Sequence, residues 1–292
     1  MTPFASIPSP DTGVVELGPL SLHMYGLMLL LGIAACIGIT GLRWTRRGGD
    51  WDLVLRVAVW GVAFGIVGAR LYHVVTSWNE VPDEWWGVFA VWKGGLGVWG
   101  GILFGVIAGA VVVRKSGESV LAFMDAVAPG LLVAQAIGRV GNWWNQELFG
   151  KPTDHWWGLQ IDIEHRPPDF ADAETFHPTF LYEGLWDLFA AGVLLLVDRF
   201  FRIRPPALFA LYVSLYTLFR MYEETLRIDA SHEIAGQRLN FWVALVLFVL
   251  STAFFVWWQL IRPWRERRRA TREPVGRGPA MAIPKKRVRS SH

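Results

Sequence analysis

The sequence predicts an all-α polytopic membrane protein, and three observations support this fold class. Hydrophobic residues make up 53% of the 292-residue chain and the mean hydropathy is +0.32, which is typical of a chain that crosses a bilayer several times. Apolar segments recur along the chain, each close to the length of about 20 residues that a helix needs to cross the hydrocarbon core. Basic residues cluster after alternate segments, which gives the segments a consistent direction.

About seven segments meet the length requirement for a transmembrane helix. Two of them carry charged residues in their interior, so the number of spans is fixed only to within one. The segments are 21–42, 53–75, 94–113, 119–138, 178–198, 206–224 and 239–261.

The orientation follows from the basic residues, because short cytoplasmic loops retain Lys and Arg. Clusters follow the first, third, fifth and seventh segments, and the opposite loops hold few basic residues. We therefore expect an outside N-terminus, a cytoplasmic C-terminus and an odd number of spans. The first three clusters are Arg43, Arg46 and Arg47; Arg114 and Lys115; and Arg199, Arg202 and Arg204.

Three regions are expected from this topology. Residues 1–20 form an extracytoplasmic N-terminal segment, and residues 21–262 form the transmembrane domain. Within that domain, segment 148–177 is too polar to span and predicts a small head or lid on the periplasmic side. Residues 263–292 predict a basic, disordered cytoplasmic tail that attracts anionic membrane lipid. Nucleic acid is not an expected partner, because few aromatic residues interleave these charges.

The sequence gives no indication of a bound cofactor or metal ion. Cys36 is the single cysteine and lies in the first apolar segment, which excludes an intramolecular disulfide and a cysteine zinc cluster. The P-loop, HExxH and GxSxG motifs are absent from the sequence. We therefore expect neither a cofactor nor a metal.

The polar residues that end the fourth apolar segment are the strongest indication of a functional site. They follow the membrane-spanning run within the stretch Gly138–Glu147 and comprise Arg139, Asn142, Asn145 and Glu147. Charged residues at this depth are costly unless they meet a partner or a polar cavity, so they favour a functional interpretation.

Further polar residues on other segments are expected at the same membrane depth. Arg220 and Glu224 are four residues apart, so they share a helix face and can form an ion pair. A structural ion pair at a helix end would explain these two residues alone. The same end of the bundle also receives Tyr25, Arg70, Glu183 and Tyr216.

The ligand class follows from the sign of these side chains. Arginines dominate the expected cluster, and guanidinium groups bind phosphate through paired hydrogen bonds. An anionic ligand therefore fits, and the abundant one at a bilayer surface is a phospholipid headgroup. These residues leave open whether the lipid reacts, crosses the membrane or is merely held.

Over residues 15–262 the chain resembles the prolipoprotein diacylglyceryl transferase family of bacterial membrane enzymes. Gly138–Gly150 is similar to the family signature G-R-x-G-N-F-x-N-x-E-x-x-G, with Trp143 in place of Phe. Other matching motifs occur in the family's order on separate spans. They are Met24–Leu27, Gly68–Arg70, Lys93–Leu96, His177–Thr179 with Tyr182 and Glu183, and Tyr216–Arg227.

The resemblance implies a multi-pass enzyme of the bacterial inner membrane with its active site on the extracytoplasmic side. Its expected activity is transfer of the diacylglyceryl group from phosphatidylglycerol to the lipobox cysteine of prolipoprotein signal peptides, with release of glycerol phosphate. By the resemblance, Arg139, Arg220 and Glu224 are catalytic. Phosphatidylglycerol would be bound by Arg139, Asn142, Tyr25, Arg70, Asn145, Glu147, Gly150 and Tyr216.

One position departs from the family pattern. Many members carry a histidine after the Gly-Gly-Leu motif, proposed as the base that activates the thiol, whereas this chain has Trp99. Indole nitrogen cannot accept a proton, so another group would serve if a base is needed. Glu224 or Glu147 could accept the proton, although orienting an arginine is the favoured role for them. His73 and His177 are outer-side alternatives, although a structural role is expected for both.

Two other classes of protein remain open at this stage. A phospholipid flippase or transporter is the main alternative, and inverted repeats or broken midplane helices would favour it. A lipid-anchored scaffold or assembly factor would explain the basic tail but not arginines within the spans.

Overall fold

The computed structural model describes residues 6–18 and 20–264. Most of the expected cytoplasmic tail and the first five residues therefore lie outside the described part of the chain. The chain is mostly helical. Its long helices are α1 (Met24–Arg46), α2 (Trp51–Thr76), α3 (Val98–Lys115), α4 (Val120–Trp144), α5 (Thr179–Phe200), α6 (Ala207–Leu226) and α7 (Leu239–Phe255).

Six candidate membrane spans confirm a polytopic membrane protein. They are α1 to α5 and the segment Leu239–Trp264, which extends α7 by a π-helical turn. Helix α6 is long enough to cross but carries three charged residues, Arg220, Glu223 and Glu224. These charges lower its apolar character, so the expected number of seven spans is not confirmed by length and hydropathy.

Small residues allow the helices to approach one another closely. A Cβ atom added at Gly68 of α2 would lie 2.5 Å from the Gly100 carbonyl oxygen of α3. At Gly130 of α4, an added Cβ would lie 3.0 Å from the Cys36 carbonyl oxygen of α1. Small residues suit helix contacts in lipid, where association depends on packing rather than on the hydrophobic effect.

Pro129 interrupts the hydrogen bonding of α4, and Arg43 compensates for the interruption. Proline has no N–H, so the carbonyl group of Asp125, four residues earlier, loses its helical donor. Arg43 Nη2 donates to this carbonyl at 3.0 Å, and Nε donates to the Ala126 carbonyl at 3.0 Å. The Asp125 side chain in turn accepts from the backbone N–H of Phe209 in the first turn of α6, at 2.8 Å.

Segment 148–177 forms a small head at the end of the bundle where α4 ends and α5 begins. Its short strands β3 (Leu159–Gln160) and β4 (Thr175–Phe176) pair antiparallel around a core of Phe149, Ile161 and Phe176. Strands β1 (Val14–Leu17) and β2 (Leu20–His23) form a hairpin that leads into α1. Strands β5 (Glu233–Ile234) and β6 (Gln237–Arg238) form another that leads into α7. We call this end of the bundle the head end.

Candidate active site

Three long helices bring charged side chains together at the head end. Arg139 lies near the end of α4, and its Nη2 donates to Glu183 Oε1 near the start of α5 at 2.6 Å. Arg220, near the end of α6, approaches the other oxygen of Glu183 at 3.6 Å. Glu183 is fully buried, so this carboxylate joins the two guanidinium groups inside the bundle. The expected meeting of arginines from separate helices is therefore present.

Arg220 is also held by two carboxylates of its own helix. Its Nη1 donates to Glu223, three residues on, and its Nη2 donates to Glu224, four residues on. Both carboxylates are buried. Hydrogen-bonded ion pairs of this kind are stronger and better oriented than neutral hydrogen bonds, so the direction of the Arg220 guanidinium is fixed.

The polar residues of the signature form a second arm that begins at Arg139. Arg139 Nη1 donates to Asn142 Oδ1 at 3.3 Å, and Asn142 Nδ2 donates to Glu147 Oε1 at 2.8 Å. Asn145 Nδ2 contacts the same Glu147 oxygen at 3.3 Å. The signature residues are thus joined in one hydrogen-bonded chain, in which exposed Glu147 is the last acceptor.

A tight turn at the end of α4 directs Glu147 back toward Asn142. Gln146 and Leu148, on either side of it, have positive φ angles of 49° and 60°. Residues other than glycine adopt this conformation only when their surroundings hold them in it. Gln146 is buried and donates to Asp162 at 2.5 Å and to the Pro10 carbonyl at 3.0 Å. The head therefore fixes the turn that places Glu147.

A third arm connects the site to the segment before α7. Arg238 Nε donates to Glu224 Oε2 at 2.6 Å, and its Nη2 donates to Asp229 Oδ2 at 2.8 Å. Arg227 Nε donates to Asp229 Oδ1 at 2.7 Å. Partial burial would raise the pKa of Asp229, but the hydrogen bonds and charges of the two arginines outweigh it and hold the pKa below its usual range.

The contacts of Glu183 with the two arginines, the signature arm and the arm of Arg238 form one continuous set of contacts, which we call the Arg139 network. Its members are Arg139, Asn142, Asn145, Glu147, Glu183, Arg220, Glu223, Glu224, Arg227, Asp229 and Arg238. Within the described residues, its carboxylates are at least as numerous as its arginines. The expectation that arginines dominate this cluster is therefore wrong, because Glu223 and Asp229 were not counted among its members.

The two expected site tyrosines pack beside this network. A Cβ atom added at Gly141 would lie 2.7 Å from Tyr25 Cδ2, so the absence of a side chain there makes room for the Tyr25 ring. Tyr216 lies one helical turn before Arg220 and stacks on Tyr212, with ring centroids 6.4 Å apart. Within the described residues, neither tyrosine is hydrogen-bonded to an arginine of the network.

Gly150 lies where the head meets the end of α6. Its backbone pairs with Arg227, and an added Cβ would lie 2.9 Å from His177 Cβ and 3.2 Å from the Leu226 carbonyl oxygen. Only glycine fits this close approach without displacing a neighbour. Its position indicates a role in joining the head to α6 rather than a direct polar contact with a ligand.

Arg70 has a different set of partners from Arg139 and Arg220. Its Nε donates to the Val88 carbonyl at 2.9 Å, and its Nη1 donates to the Gly94 and Gly95 carbonyls at 2.9 and 3.1 Å. Its Nη2 donates to the Gly87 carbonyl. All of these contacts hold the loop between α2 and α3, so Arg70 is buried as an organiser of backbone and is not joined to the Arg139 network by a described contact.

Trp99 and His177 make no contact with Arg139 or Arg220 within the described residues. Trp99 is 52% exposed near the start of α3, as expected of a lipid-facing aromatic residue. The His177 ring lies 3.1 Å from the Tyr182 hydroxyl group. Burial, assisted by the nearby His155 and Lys151, lowers the pKa of His177, which favours the neutral ring.

Sequence reasoning missed Glu223, Arg238 and Asp187 as residues near the site. Glu223 lies three residues after Arg220, a spacing that could have identified it. Arg238 comes from beyond the last polar motif, and only the fold brings it to Glu224. Asp187 follows Glu183 by one turn, is fully buried, and neither of its oxygens has a hydrogen-bond partner among residues 6–18 and 20–264.

The fold and this network define a multi-pass membrane protein with a buried ionic site at one end of its helices. The family model described as prolipoprotein diacylglyceryl transferase matches residues 12–257. The chain therefore belongs to the prolipoprotein diacylglyceryl transferase family, which makes it a transferase of lipoprotein biosynthesis.

Relatives named as transferases of this family agree with this assignment. A phosphatidylglycerol–prolipoprotein diacylglyceryl transferase of Streptomyces griseus is 45% identical over 265 residues, covering 90% of this chain and 80% of the relative. One from Frankia alni is 49% identical over 254 residues, covering 84% of this chain and 66% of the relative. One from Cutibacterium acnes is 46% identical over 254 residues, covering 86% of each chain.

Proposed function

We propose that this chain transfers the diacylglyceryl group of phosphatidylglycerol to the lipobox cysteine of prolipoprotein signal peptides. The products are a thioether-linked prolipoprotein and glycerol phosphate. The observation that carries the location of this reaction is the convergence of Arg139 and Arg220, from different helices, on buried Glu183. The names of the relatives support the two substrates.

The enzyme is oriented with its head end outside the cytoplasmic membrane of a bacterium and has seven spans, including α6. The charged residues of α6 are buried and paired, which offsets much of the cost of placing them near the membrane. The basic clusters after α1, α3 and α5 all lie at the opposite end of the bundle, and this distribution favours a cytoplasmic location for that end.

The three regions expected from the sequence remain part of this proposal. Residues 1–20 lie outside the membrane, and residues 21–262 form the catalytic domain with the head at 148–177. The basic residues from 263 to 292 lie on the cytoplasmic side, where they attract anionic lipid.

Arg139 and Arg220 together hold the phosphate of phosphatidylglycerol. Their side chains retain 18% and 14% of their exposure, so a ligand can approach them although their carboxylate partners are almost fully buried. Each guanidinium has five N–H donors, more than the described carboxylate contacts engage. The phosphate therefore adds to the existing ion pairs and need not displace Glu183.

The remaining expected site residues surround this phosphate. Asn142 and Asn145 orient Glu147, which lies at the exposed end of the signature arm and faces the polar glycerol headgroup. Tyr25 and Tyr216 border the lipid, and Gly150 keeps the head close to α6. Arg70 acts indirectly by holding the loop before α3, in keeping with its contacts to four backbone carbonyls.

The reaction exchanges one bond at the glycerol carbon that carries the phosphate. The cysteine sulfur forms a bond to this carbon while the carbon–oxygen bond to phosphate breaks, and glycerol phosphate leaves with the bonding electrons. The arginines stabilise the charge on the departing phosphate, and a contact of this type contributes about 3 kcal/mol to lowering the barrier. Glu224 orients Arg220 for this role.

Activation of the thiol does not require a histidine at the position of Trp99. The thiolate is the attacking form, and neighbouring guanidinium groups lower the pKa of a cysteine thiol. The cysteine proton passes to water at the head end, where the signature arm is exposed. No cofactor or metal takes part in this proposal.

The test uses purified protein, labelled phosphatidylglycerol and a lipobox peptide, with no energy source. We expect a lipidated peptide and one glycerol phosphate for each peptide modified. The same peptide with its cysteine replaced by alanine should yield neither product. Movement of labelled lipid across vesicles without either product would contradict the proposal and support the flippase alternative.

A further inference from the structure

Arg238, like Arg227, is an arginine of the Arg139 network with no role in the proposed phosphate contact. It lies where β6 ends and α7 begins, and only 9% of its side chain is exposed. Its guanidinium contacts two carboxylates, Glu224 on α6 and Asp229 in the segment between α6 and α7. A buried arginine with two separate carboxylate partners can affect both the fold and the site.

Glu224 lies between Arg238 and Arg220, so one side chain separates Arg238 from the proposed phosphate site. Glu224 gives one oxygen, Oε1, to Arg220 and the other, Oε2, to Arg238. The carboxylate is therefore shared between two guanidinium groups, and its orientation is set from both sides. Because Glu224 is buried, loss of either partner would leave charge poorly compensated.

The charge balance around Arg220 shows what this sharing achieves. Arg220 faces Glu183, Glu223 and Glu224, and each of these anions competes electrostatically with a phosphate. A second cation on the far side of Glu224 offsets the field of that carboxylate at the ligand position. Such effects are strong in a buried site because the effective dielectric constant is lower than that of water.

We propose that Arg238 is a positioning residue that strengthens binding of the phospholipid phosphate by holding and partly neutralising Glu224. This inference rests on the proposed function and adds a determinant of substrate affinity to it. Arg238 acts through Glu224 and Arg220 and does not touch the lipid. The expected signature is an effect on the KM for phosphatidylglycerol, with little effect on kcat.

The contact with Asp229 supplies a matched control for a purely structural role. Asp229 also pairs with Arg227, so this arm fixes the segment between α6 and α7. Asp229→Asn weakens that arm while leaving the Arg238–Glu224 contact in place. If Arg238 only held the segment between α6 and α7, Asp229→Asn and Arg238→Gln would have the same effect on the kinetic constants.

The first experiment measures kcat, KM for phosphatidylglycerol and thermal stability in detergent for these variants. For Arg238→Gln we expect KM to rise about tenfold with kcat within about threefold of wild type, the pattern of an interaction used in ground-state binding. Asp229→Asn should lower the Tm and leave KM within about twofold. Arg238→Lys keeps the positive charge and should give a KM between those of the wild type and Arg238→Gln. It also provides a measurable variant if Arg238→Gln does not fold. Equal KM changes in Arg238→Gln and Asp229→Asn, or an unchanged KM in Arg238→Lys and Arg238→Gln, would overturn the inference.

A double-mutant cycle with Glu224→Gln tests whether Arg238 acts through Glu224. With the carboxylate removed, Arg238 has no negative charge to offset, so Arg238→Gln should no longer raise KM in that background. Multiplicative effects of the two substitutions on KM would contradict the inference. Absence of transfer by the wild-type protein would instead contradict the proposed function, so the two failures are distinguishable.

Discussion

Two groups of charged residues lie at opposite ends of the same bundle, and their arginines have different kinds of hydrogen-bond acceptor. The Arg139 network at the head end joins arginines mainly to carboxylate side chains. At the other end, Arg43 donates to the backbone carbonyls of Asp125 and Ala126 and pairs with Asp198, which Arg47 also contacts. We call Arg43, Arg47, Asp125 and Asp198 the Arg43 cluster.

The difference separates a structural arginine from one that can serve a ligand. Arg43 replaces a helical hydrogen bond that Pro129 cannot make, so two of its nitrogens are committed to fixed backbone carbonyls, and it also pairs with Asp198. Arg139 and Arg220 contact carboxylates and retain some exposure, so their remaining donors can meet an anionic group. Arginine inside a membrane bundle therefore indicates function only after its partners are known.

The largest expected effect is on catalysis at the head end. We expect Arg139→Ala to lower diacylglyceryl transfer at least about a hundredfold, since it removes a contact to the departing phosphate. The measurement is the rate of glycerol phosphate release by purified, folded protein. Arg56→Ala is the matched control, because Arg56 lies in a span but pairs with Asp52 at an exposed position. Similar rates for the two variants would remove Arg139 from the mechanism.

At the opposite end, we expect a loss of stability without a change in catalysis. Arg43→Met leaves the buried Asp125 carbonyl without a donor, at a cost of about 1–3 kcal/mol, and removes the additional hydrogen bond to the Ala126 carbonyl. Thermal unfolding in detergent should show a lower Tm, while kcat/KM of the folded protein stays near wild type.

Pro129→Ala tests the explanation for this stability effect. Alanine restores the N–H that can donate to the Asp125 carbonyl, so Arg43→Met should lower the Tm less in the Pro129→Ala background. If Arg43→Met lowers the Tm by the full amount in that background, the assigned role of Arg43 is contradicted. If Arg43→Met lowers kcat without lowering the Tm, the two ends of the bundle do not differ in function as described.

His177 should produce a smaller effect, visible in the pH dependence of stability. Because burial lowers its pKa, the unfolded chain takes up a proton at this residue at higher pH than the folded protein does. Folding stability should therefore fall as pH decreases through and below the ordinary histidine pKa of about 6.5. His177→Gln should make the decline shallower, with activity retained. An unchanged slope would show that His177 does not contribute.

The smallest effect is expected at Trp99. Restoring histidine with Trp99→His should leave both the rate of transfer and its pH profile unchanged, because the proposed thiol activation does not use this position. The comparison is the rate over a range of pH in the same assay. A higher rate with a new pH-dependent limb would show that a base at this position assists the reaction.

Much of the membrane architecture could be predicted from hydropathy, because a span must be long and apolar. Helix α6 shows the limit of this argument, since Glu223 and Glu224 make it polar and only their contacts with Arg220 show how it is accommodated. The head at 148–177 could be recognised as a polar insertion, but its strand pairing depends on contacts with distant residues such as Ile7.

The site could be predicted in part for similar reasons. Arg139, Asn142 and Glu147 were identifiable because they lie in one local motif, and Arg220 with Glu224 because they share a helix face. Their direct partners could not all be found, because Arg238 meets Glu224 only through the return of the chain into α7. Arg70 could not be distinguished from the other arginines by sequence. Its acceptors are backbone carbonyls, which every residue has, so residue types do not reveal them.

In the proposed mechanism Arg139 and Arg220 hold the phosphate of the donor lipid, and a structure with bound phosphatidylglycerol is the decisive experiment. We expect phosphate oxygens within about 3 Å of nitrogen atoms of both guanidinium groups, at the head end of the bundle. A phosphate bound away from both arginines, with their carboxylate contacts unchanged, would rule out this role for them.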